Sequence, residues 1–353
     1  MKQIFLLAIK IAALTLYFTT CNAQQQPPSK PISKKQQAVV IKALVQKMND
    51  GYIFPEVAMN AGKQLTALQK KGKYAAITDS REFAKALTDD LREIVKDKHL
   101  GVRFRPPLYT NAPKAEEAKK QEEAFMKHMR RMNLGFAKAD LLEGNVGYLK
   151  VDGFGPVDKV GETCSGAMMF LSNTDALIID LRDNHGGEPD MVRYLASYFF
   201  GDEPVHLNDL YFRNGNQTTE FWTIPVPGKK YLDKPVYVLT SSHTFSGGEE
   251  LAYDLQTQKR ATLIGETTGG GANPGDEVEL PEGFTAFIPG GRAINPITKT
   301  NWEGTGVKPD IAVPAGNALK EAHLLALKEL SIASGDDEAK NYYSRNIEVV
   351  QKK

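Results

Sequence analysis

The amino-acid sequence predicts an α/β protein in which a small helical domain precedes a central sheet. Three short segments are mostly apolar, as in strands buried on both faces of a sheet: residues 176–181, 235–240 and 261–265. Segments with helical character follow the first two of these strands, at 191–200 and 249–256. Strands that alternate with helices are typical of an α/β core, and 353 residues can hold that core together with a smaller domain.

The first residues resemble a secretory signal, so residues 1–23 are expected to be removed. Lys2 gives a positively charged start, and an apolar stretch at 4–18 follows it. Small residues at Cys21 and Ala23 predict cleavage after Ala23. A second reading is a lipoprotein acylated on Cys21, and a retained anchor ranks third because the apolar stretch is short for a bilayer span. We therefore expect a periplasmic or secreted protein, bound to a membrane only if Cys21 carries a lipid.

The segments before the core are predicted to be mainly helical. Residues 24–33 are rich in Gln, Pro and Ser and are expected to form a flexible leader. Apolar residues at helical spacing predict a helical domain over 34–105, in which a capping box at 79–82 begins one helix. The charged stretch 106–144 is expected to be an exposed helix or a linker.

The core is expected over residues 145–332. Alternating residues at 146–151 predict its first strand, and the Gly- and Pro-containing stretch 277–291 predicts a hairpin. A helix is expected at 318–330, and the polar tail 333–353 is expected to fray.

Composition excludes several classes of function. Lys and Arg number 44 and Asp and Glu 43, and no basic stripe is present, so no nucleic-acid partner is expected. The two cysteines are Cys21 and Cys164, which excludes a disulfide framework or a cysteine metal site once the signal is removed. The glycine-rich turns lack a P-loop lysine and a dinucleotide fingerprint, and the sequence has no metal-ligand cluster. We expect neither a metal nor an organic cofactor.

Ser246 is the first candidate nucleophile, because it stands between a buried strand and a helix in the segment 240–250. A serine at such a turn exposes its hydroxyl, and the amide at the helix start can stabilise a developing oxyanion. Alternatively, Ser246 only caps the helix, with Glu249 as the partner in an ordinary capping box.

Further glycine-rich turns favour the functional reading. The segments 180–187 and 265–271 each leave a buried strand, and 301–310 lies near the end of the core. Such turns are expected at one edge of the sheet, where α/β folds collect the groups that bind ligands.

The order of the motifs resembles the S41 peptidases. The motifs are Leu-Arg-Asp-Asn-x-Gly-Gly at 181–187, Thr-Ser-x-x-Thr-x-Ser-x-x-Glu at 240–249, Gly-Glu-Thr-Thr-Gly-Gly at 265–270 and Gly-Val-x-Pro-Asp at 306–310. The family includes tail-specific proteases, the tricorn core protease and the modules of interphotoreceptor retinoid-binding protein, and the sequence is most similar to the last branch. The resemblance implies a ClpP/crotonase-like β-β-α spiral core and a serine endopeptidase that cleaves unfolded or C-terminal protein segments, or peptides.

The resemblance also implies the roles of individual residues. The general-base lysine of the serine-lysine branch would fall at Gly271, where this chain has no lysine, so a Ser/Lys dyad is not expected. In the tricorn-like arrangement, Ser246 is the nucleophile, His99 its base, and Glu303 orients His99 and stabilises its charged form. The oxyanion donors would be the amide of Gly247 and one amide from the Gly186–Gly187 turn.

Some alternatives stay open at this point. His243 lies close to Ser246 in sequence and is the second candidate base. Lys98 replaces the serine that precedes the histidine in tricorn, and Asn273 stands where some relatives carry a histidine. The chain could instead be a non-catalytic module of the same fold that binds an apolar ligand or a peptide. A crotonase-type acyl-transferring or hydratase enzyme is disfavoured because no nucleotide-binding signature is present.

Overall fold

The computed structural model describes residues 29–105 and 114–352, so the expected signal sequence at 1–23 lies outside the described residues. The described residues form two compact units. Among the described residues, the N-terminal unit holds those up to Glu122 together with Leu210–Thr219 and Asn273–Ala293. The main unit holds Glu123–Asp209, Glu220–Ala272 and the described residues from Ile294 onward.

The secondary structure alternates between helices and strands through most of the chain. The helices are α1 (Lys34–Gly51), α2 (Pro55–Lys70), α3 (Ser80–Val95), α4 (Lys114–Arg131), α5 (Val157–Leu171), α6 (Pro189–Ala196), α7 (Gly247–Thr257), α8 (Ala315–Ala333) and α9 (Asp337–Lys352). The strands are β1 (Gly101–Phe104), β2 (Phe136–Leu142), β3 (Val146–Val151), β4 (Ala176–Asp180), β5 (His206–Phe212), β6 (Gln217–Trp222), β7 (Val236–Thr240), β8 (Thr262–Gly265), β9 (Gly275–Leu280), β10 (Phe284–Pro289), β11 (Gly291–Ile294) and β12 (Ile311–Ala312). The whole is a mixed α/β fold with a helical N-terminal region and a central sheet, as the sequence predicts.

In the N-terminal unit, helices α1, α2 and α3 pack with an antiparallel sheet of order β1-β10-β9. Helix α3 begins where the sequence predicts, because the Asp79 carboxylate accepts the N–H groups of Arg81 at 2.8 Å and Glu82 at 3.0 Å. Phe83 and Phe284 are fully buried, with ring centroids 5.8 Å apart at 87°. The predicted hairpin therefore belongs to the N-terminal unit and not to the core, where it was expected. The largely apolar sequence of β10 indicates that the strand is buried, but it cannot show which unit buries it.

In the main unit, the sheet has the order β12-β8-β7-β4-β3-β2. Its strands are parallel except β2, which is antiparallel to β3. Every residue of β4 and β7 is buried, as their apolar sequences predict. Alternate residues of β3, β4, β7 and β8 share one buried cluster with α8 and α9.

The carboxyl ends of β4, β7 and β8 lie side by side. Asp180 pairs with Leu239, and Thr240 pairs with Gly265. The turns that follow these strands therefore leave the sheet at one edge, which confirms the predicted placement of the glycine-rich segments. This edge holds the candidate nucleophile.

The structure differs from the sequence-based expectation at three further segments. Ile32, expected in the flexible leader, is buried, and its N–H donates to Thr78 at 2.9 Å. The charged stretch contains strand β2, an edge strand whose largely exposed residues show no apolar pattern. The polar tail forms α9, whose Ile347 and Val350 pack on α8 at helical spacing. Among the described residues, no helix combines the length and apolarity needed to cross a membrane.

Candidate active site

Ser246 lies at the turn between β7 and α7, in the N-cap position of the helix. Its backbone angles are φ 53° and ψ −120°, a conformation that residues other than glycine rarely adopt and that marks functional turns. The N–H of Phe245 donates to the carbonyl of Asn184 at 2.9 Å. The hydroxyl of Thr244 donates to the carbonyl of Leu181 at 2.7 Å. These bonds hold the turn in the strained geometry in which nucleophilic serines of α/β hydrolases present their hydroxyl.

The Gly186–Gly187 turn lies directly against the nucleophile turn. Its glycines have φ values of 99° and 140°. A Cβ on Gly186 would lie 2.7 Å from the Cβ of Ser246, and the amide nitrogen of Gly187 lies 3.2 Å from where a Cβ on Gly247 would be. The N–H of Gly186 already donates to Asn184 Oδ1 at 2.8 Å. The N–H of Gly187 is therefore the candidate oxyanion donor in this turn.

Glu249 has a larger role than a first-turn carboxylate. It is fully buried, and its Oε2 accepts the N–H of Ser246 at 2.8 Å and that of Gly271 at 2.8 Å. Its Oε1 accepts the N–H of Gly270 at 2.6 Å and the hydroxyl of Thr268 at 2.5 Å. Burial raises the pKa of the Glu249 carboxyl to about 7, while these hydrogen bonds act in the opposite direction. Sequence spacing reveals the helix-start position but not the partners that lie 19 to 22 residues away.

Glu303 is attached to the same glycine-rich turn. Its Oε2 accepts the N–H of Ala272 at 2.6 Å. The neighbouring Trp302 is buried and donates its indole N–H to the carbonyl of Gly271 at 2.7 Å. In the main unit, Glu303 and the nucleophile turn are thus connected through residues 270–272.

His99 lies in the N-terminal unit, between α3 and β1. It is buried, and its ring stacks on Phe287 with centroids 6.0 Å apart. The backbone N–H of His99 donates to Asp97 Oδ1 at 2.9 Å, and His99 Nδ1 lies 3.9 Å from the same oxygen. Asp97 Oδ2 accepts from the Tyr52 hydroxyl at 3.1 Å and from Asn273 Nδ2 at 3.0 Å. Asp97 is therefore the acidic neighbour of His99, a role that was not predicted for it from the sequence.

Burial lowers the pKa of His99 to about 4, and the Asp97 carboxylate only partly offsets this effect. The ring is therefore neutral at neutral pH and can accept a proton. Between pH 6.5 and about pH 4, unfolded His99 is protonated and folded His99 is not, so the unfolded state holds more protons in this window. The free energy of unfolding must then fall as the pH falls through it.

His99→Gln should remove this pH dependence. Between pH 7 and pH 4.5, we expect the wild-type protein to lose about 2–3 kcal/mol more of its free energy of unfolding than the variant loses. Denaturant titrations of both proteins at the two pH values measure this difference. Equal losses would show that the pKa of His99 is not lowered by burial.

The other histidines are placed differently. The side chain of His243 is exposed, near the carboxyl group of Glu266. His206 contacts Asp209 at 2.7 Å, and His323 contacts the carbonyl of Glu143 at 2.7 Å, as expected of surface or packing residues. The main unit thus brings Ser246 and the predicted oxyanion glycines together, with His243 exposed nearby in sequence.

Known families match both parts of the chain. The model of peptidase family S41 matches residues 145–313, and the model of the N-terminal domain of Peptidase_S41 in eukaryotic IRBP matches residues 32–133. A carboxyl-terminal-processing protease of Picosynechococcus sp. is 28% identical over 184 residues, which are 52% of this chain and 43% of that protein. The chloroplastic carboxyl-terminal-processing peptidase 1 of Arabidopsis thaliana is 24% identical over 178 residues, which are 50% of this chain and 35% of that protein. The chain therefore matches less than half the length of these relatives.

Solved structures share the fold. Mature CPAF aligns with a TM-score of 0.55 and 14% identity, over 79% of this chain and 94% of that chain. A lipoprotein from Streptococcus agalactiae aligns with a TM-score of 0.52 and 15% identity, over 84% of this chain and 97% of that chain. At these identities the likeness shows the fold alone.

Proposed function

The chain belongs to peptidase family S41, and we propose that it is an exported serine endopeptidase that hydrolyses peptide bonds in unfolded or C-terminal protein segments, or in peptides. The observation that carries this proposal is the strained turn of Ser246, set against the Gly186–Gly187 turn at the carboxyl edge of the sheet. The export signal predicted at 1–23 supports action in the periplasm or outside the cell, with Cys21 as the site of a lipid if the protein is a lipoprotein.

The oxyanion would be held by backbone amides. The N–H of Ser246 is engaged by Glu249 and that of Gly186 by Asn184, so neither is available. Gly247 is the first residue of α7, where an amide finds no acceptor inside its own helix. We assign the N–H groups of Gly247 and Gly187 as the donors to the oxyanion.

In the proposed reaction, Ser246 Oγ attacks the scissile carbonyl while neutral His99 takes the hydroxyl proton. The tetrahedral intermediate collapses as His99 returns that proton to the leaving amine, which leaves an acyl ester on Ser246. Water then attacks the ester with His99 again as base, and the acid product and free Ser246 result. Glu303 orients His99 and stabilises its charged form, and Asp97 adds negative charge beside the ring.

Reaction with a fluorophosphonate tests the proposal. The Ser246 oxygen would displace fluoride from phosphorus, and tandem mass spectrometry of the digested protein should find the phosphonyl group on Ser246 alone. Stoichiometric labelling of Ser246 is expected only if its hydroxyl is activated, because an ordinary capping serine does not react. Absence of labelling, together with saturable binding of a fatty acid or an uncleaved peptide, would favour the binding-module alternative instead.

A further inference from the structure

Glu249 ties the nucleophile turn to the glycine-rich turn whose Ala272 amide binds Glu303, yet the proposed reaction gives Glu249 no role. Its carboxylate joins the N–H of Ser246 at 2.8 Å to those of Gly270 at 2.6 Å and Gly271 at 2.8 Å. The next amide along the chain, that of Ala272, donates to Glu303. We propose that Glu249 is a positioning residue that, as a carboxylate, fixes Ser246 and the 270–272 segment in one arrangement, an inference that rests on the proposed function.

The pattern of hydrogen bonds favours the carboxylate over the protonated acid at this position, against the effect of burial. Each oxygen accepts from two named donors: Oε1 from Thr268 and Gly270, and Oε2 from Ser246 and Gly271. A glutamine has one oxygen, so its NH2 group would face two donors in place of an acceptor. A buried site that is built only of donors strongly disfavours such a replacement.

The contact to Ser246 bears on reactivity as well as on stability. The φ of 53° at Ser246 is sparsely populated, and the bond from its N–H to Glu249 fixes the peptide plane that precedes the nucleophile. The same bond removes the Ser246 N–H from the oxyanion site and leaves that task to Gly247. Loss of the carboxylate should therefore misplace Oγ relative to the oxyanion donors without changing the surfaces that bind the rest of a substrate.

Glu250 offers a matched control on the same helix. Like Glu249, it is buried, and burial raises its pKa to about 7. Its hydrogen-bond partner is different, because its carboxylate accepts from Asn208 Nδ2 at 3.0 Å. Glu249→Gln and Glu250→Gln are therefore the same chemical change at adjacent buried positions. Only the first change touches the N–H of Ser246.

The experiment measures the rate of fluorophosphonate labelling, kcat and KM for a cleaved peptide, and the thermal unfolding temperature of the full mature chain. We expect Glu249→Gln to lower the labelling rate and kcat about 100-fold, with KM nearly unchanged. Glu250→Gln should change the labelling rate, kcat and KM by less than about twofold each. A folded Glu249→Gln protein that labels at the wild-type rate would overturn the inference and leave the proposed function intact. An unlabelled wild-type protein would overturn the proposed function itself.

Glu249→Asp covers the case in which the glutamine variant does not fold. It keeps the charge but withdraws the carboxylate by one methylene, so slower labelling with an unchanged KM is again expected. Labelling of folded Glu249→Asp at the wild-type rate would contradict a positioning role, because the bond from Ser246 could not then be maintained at its present length.

Discussion

Ser246→Ala and His99→Ala are each expected to lower kcat by about 10³-fold or more, and the double variant is expected to lose little beyond either single change. The reason is that a nucleophile and its base act as one unit, so removal of either removes the same catalytic step. KM should change little, because neither side chain is assigned to ground-state binding. Initial rates with a quenched fluorescent peptide, measured for the three variants at saturating and limiting concentrations, give this comparison.

His243→Ala is the matched control for the base. The exposed ring of His243 has no assigned role in the reaction, so its removal should leave kcat within about twofold of the wild-type value. A large loss in His243→Ala with an active His99→Ala protein would transfer the role of base to His243. Additive losses in the Ser246 and His99 double variant would show that the two residues act in separate steps.

The placement of Ser246 could be read from the sequence because its determinants are local. A buried strand, a short turn and a helix with Glu249 three residues on define the position before any tertiary contact is considered. The shared edge of the sheet was also predictable, since parallel strands that alternate with helices end on the same side. The roles of Ser246, His99 and Glu303 stay predictions, which the variants above test.

The surroundings of these residues could not be read in the same way, because they depend on contacts between distant segments. Tyr52 and Asn273 bind Asp97 across 45 and 176 residues of sequence, and no local sequence pattern predicts either contact. Strand β10 is mostly apolar, like the buried strands of the main sheet, so its assignment to the N-terminal unit needed the packing of Phe284 on Phe83. Helix α9, by contrast, could have been predicted from a local pattern. Ile347 and Val350 have helical spacing, but the polar composition of the tail led to the expectation that it frays.

Gly186→Ala is the second change for which we expect a large effect. The added methyl group would lie 2.7 Å from the Cβ of Ser246 and 3.1 Å from the carbonyl oxygen of Phe245, at a residue whose φ is 99°. Overpacking and backbone strain together should lower the free energy of unfolding by about 1–3 kcal/mol. Displacement of the nucleophile turn should slow fluorophosphonate labelling by about 100-fold or more.

Gly166→Ala is the control for the alanine substitution itself. Gly166 lies in helix α5, and apart from its chain neighbours and the backbone of its own helix, no described atom lies within 4 Å of the position that its Cβ would take. Alanine there should raise the free energy of unfolding by about 0.5–1 kcal/mol and leave labelling unchanged. If Gly186→Ala unfolds at lower denaturant but labels at the wild-type rate, the turn serves only packing, and the oxyanion donors must be sought elsewhere. If labelling falls much further than stability does, the close approach of Gly186 to Ser246 is a requirement of the chemistry and not only of the fold.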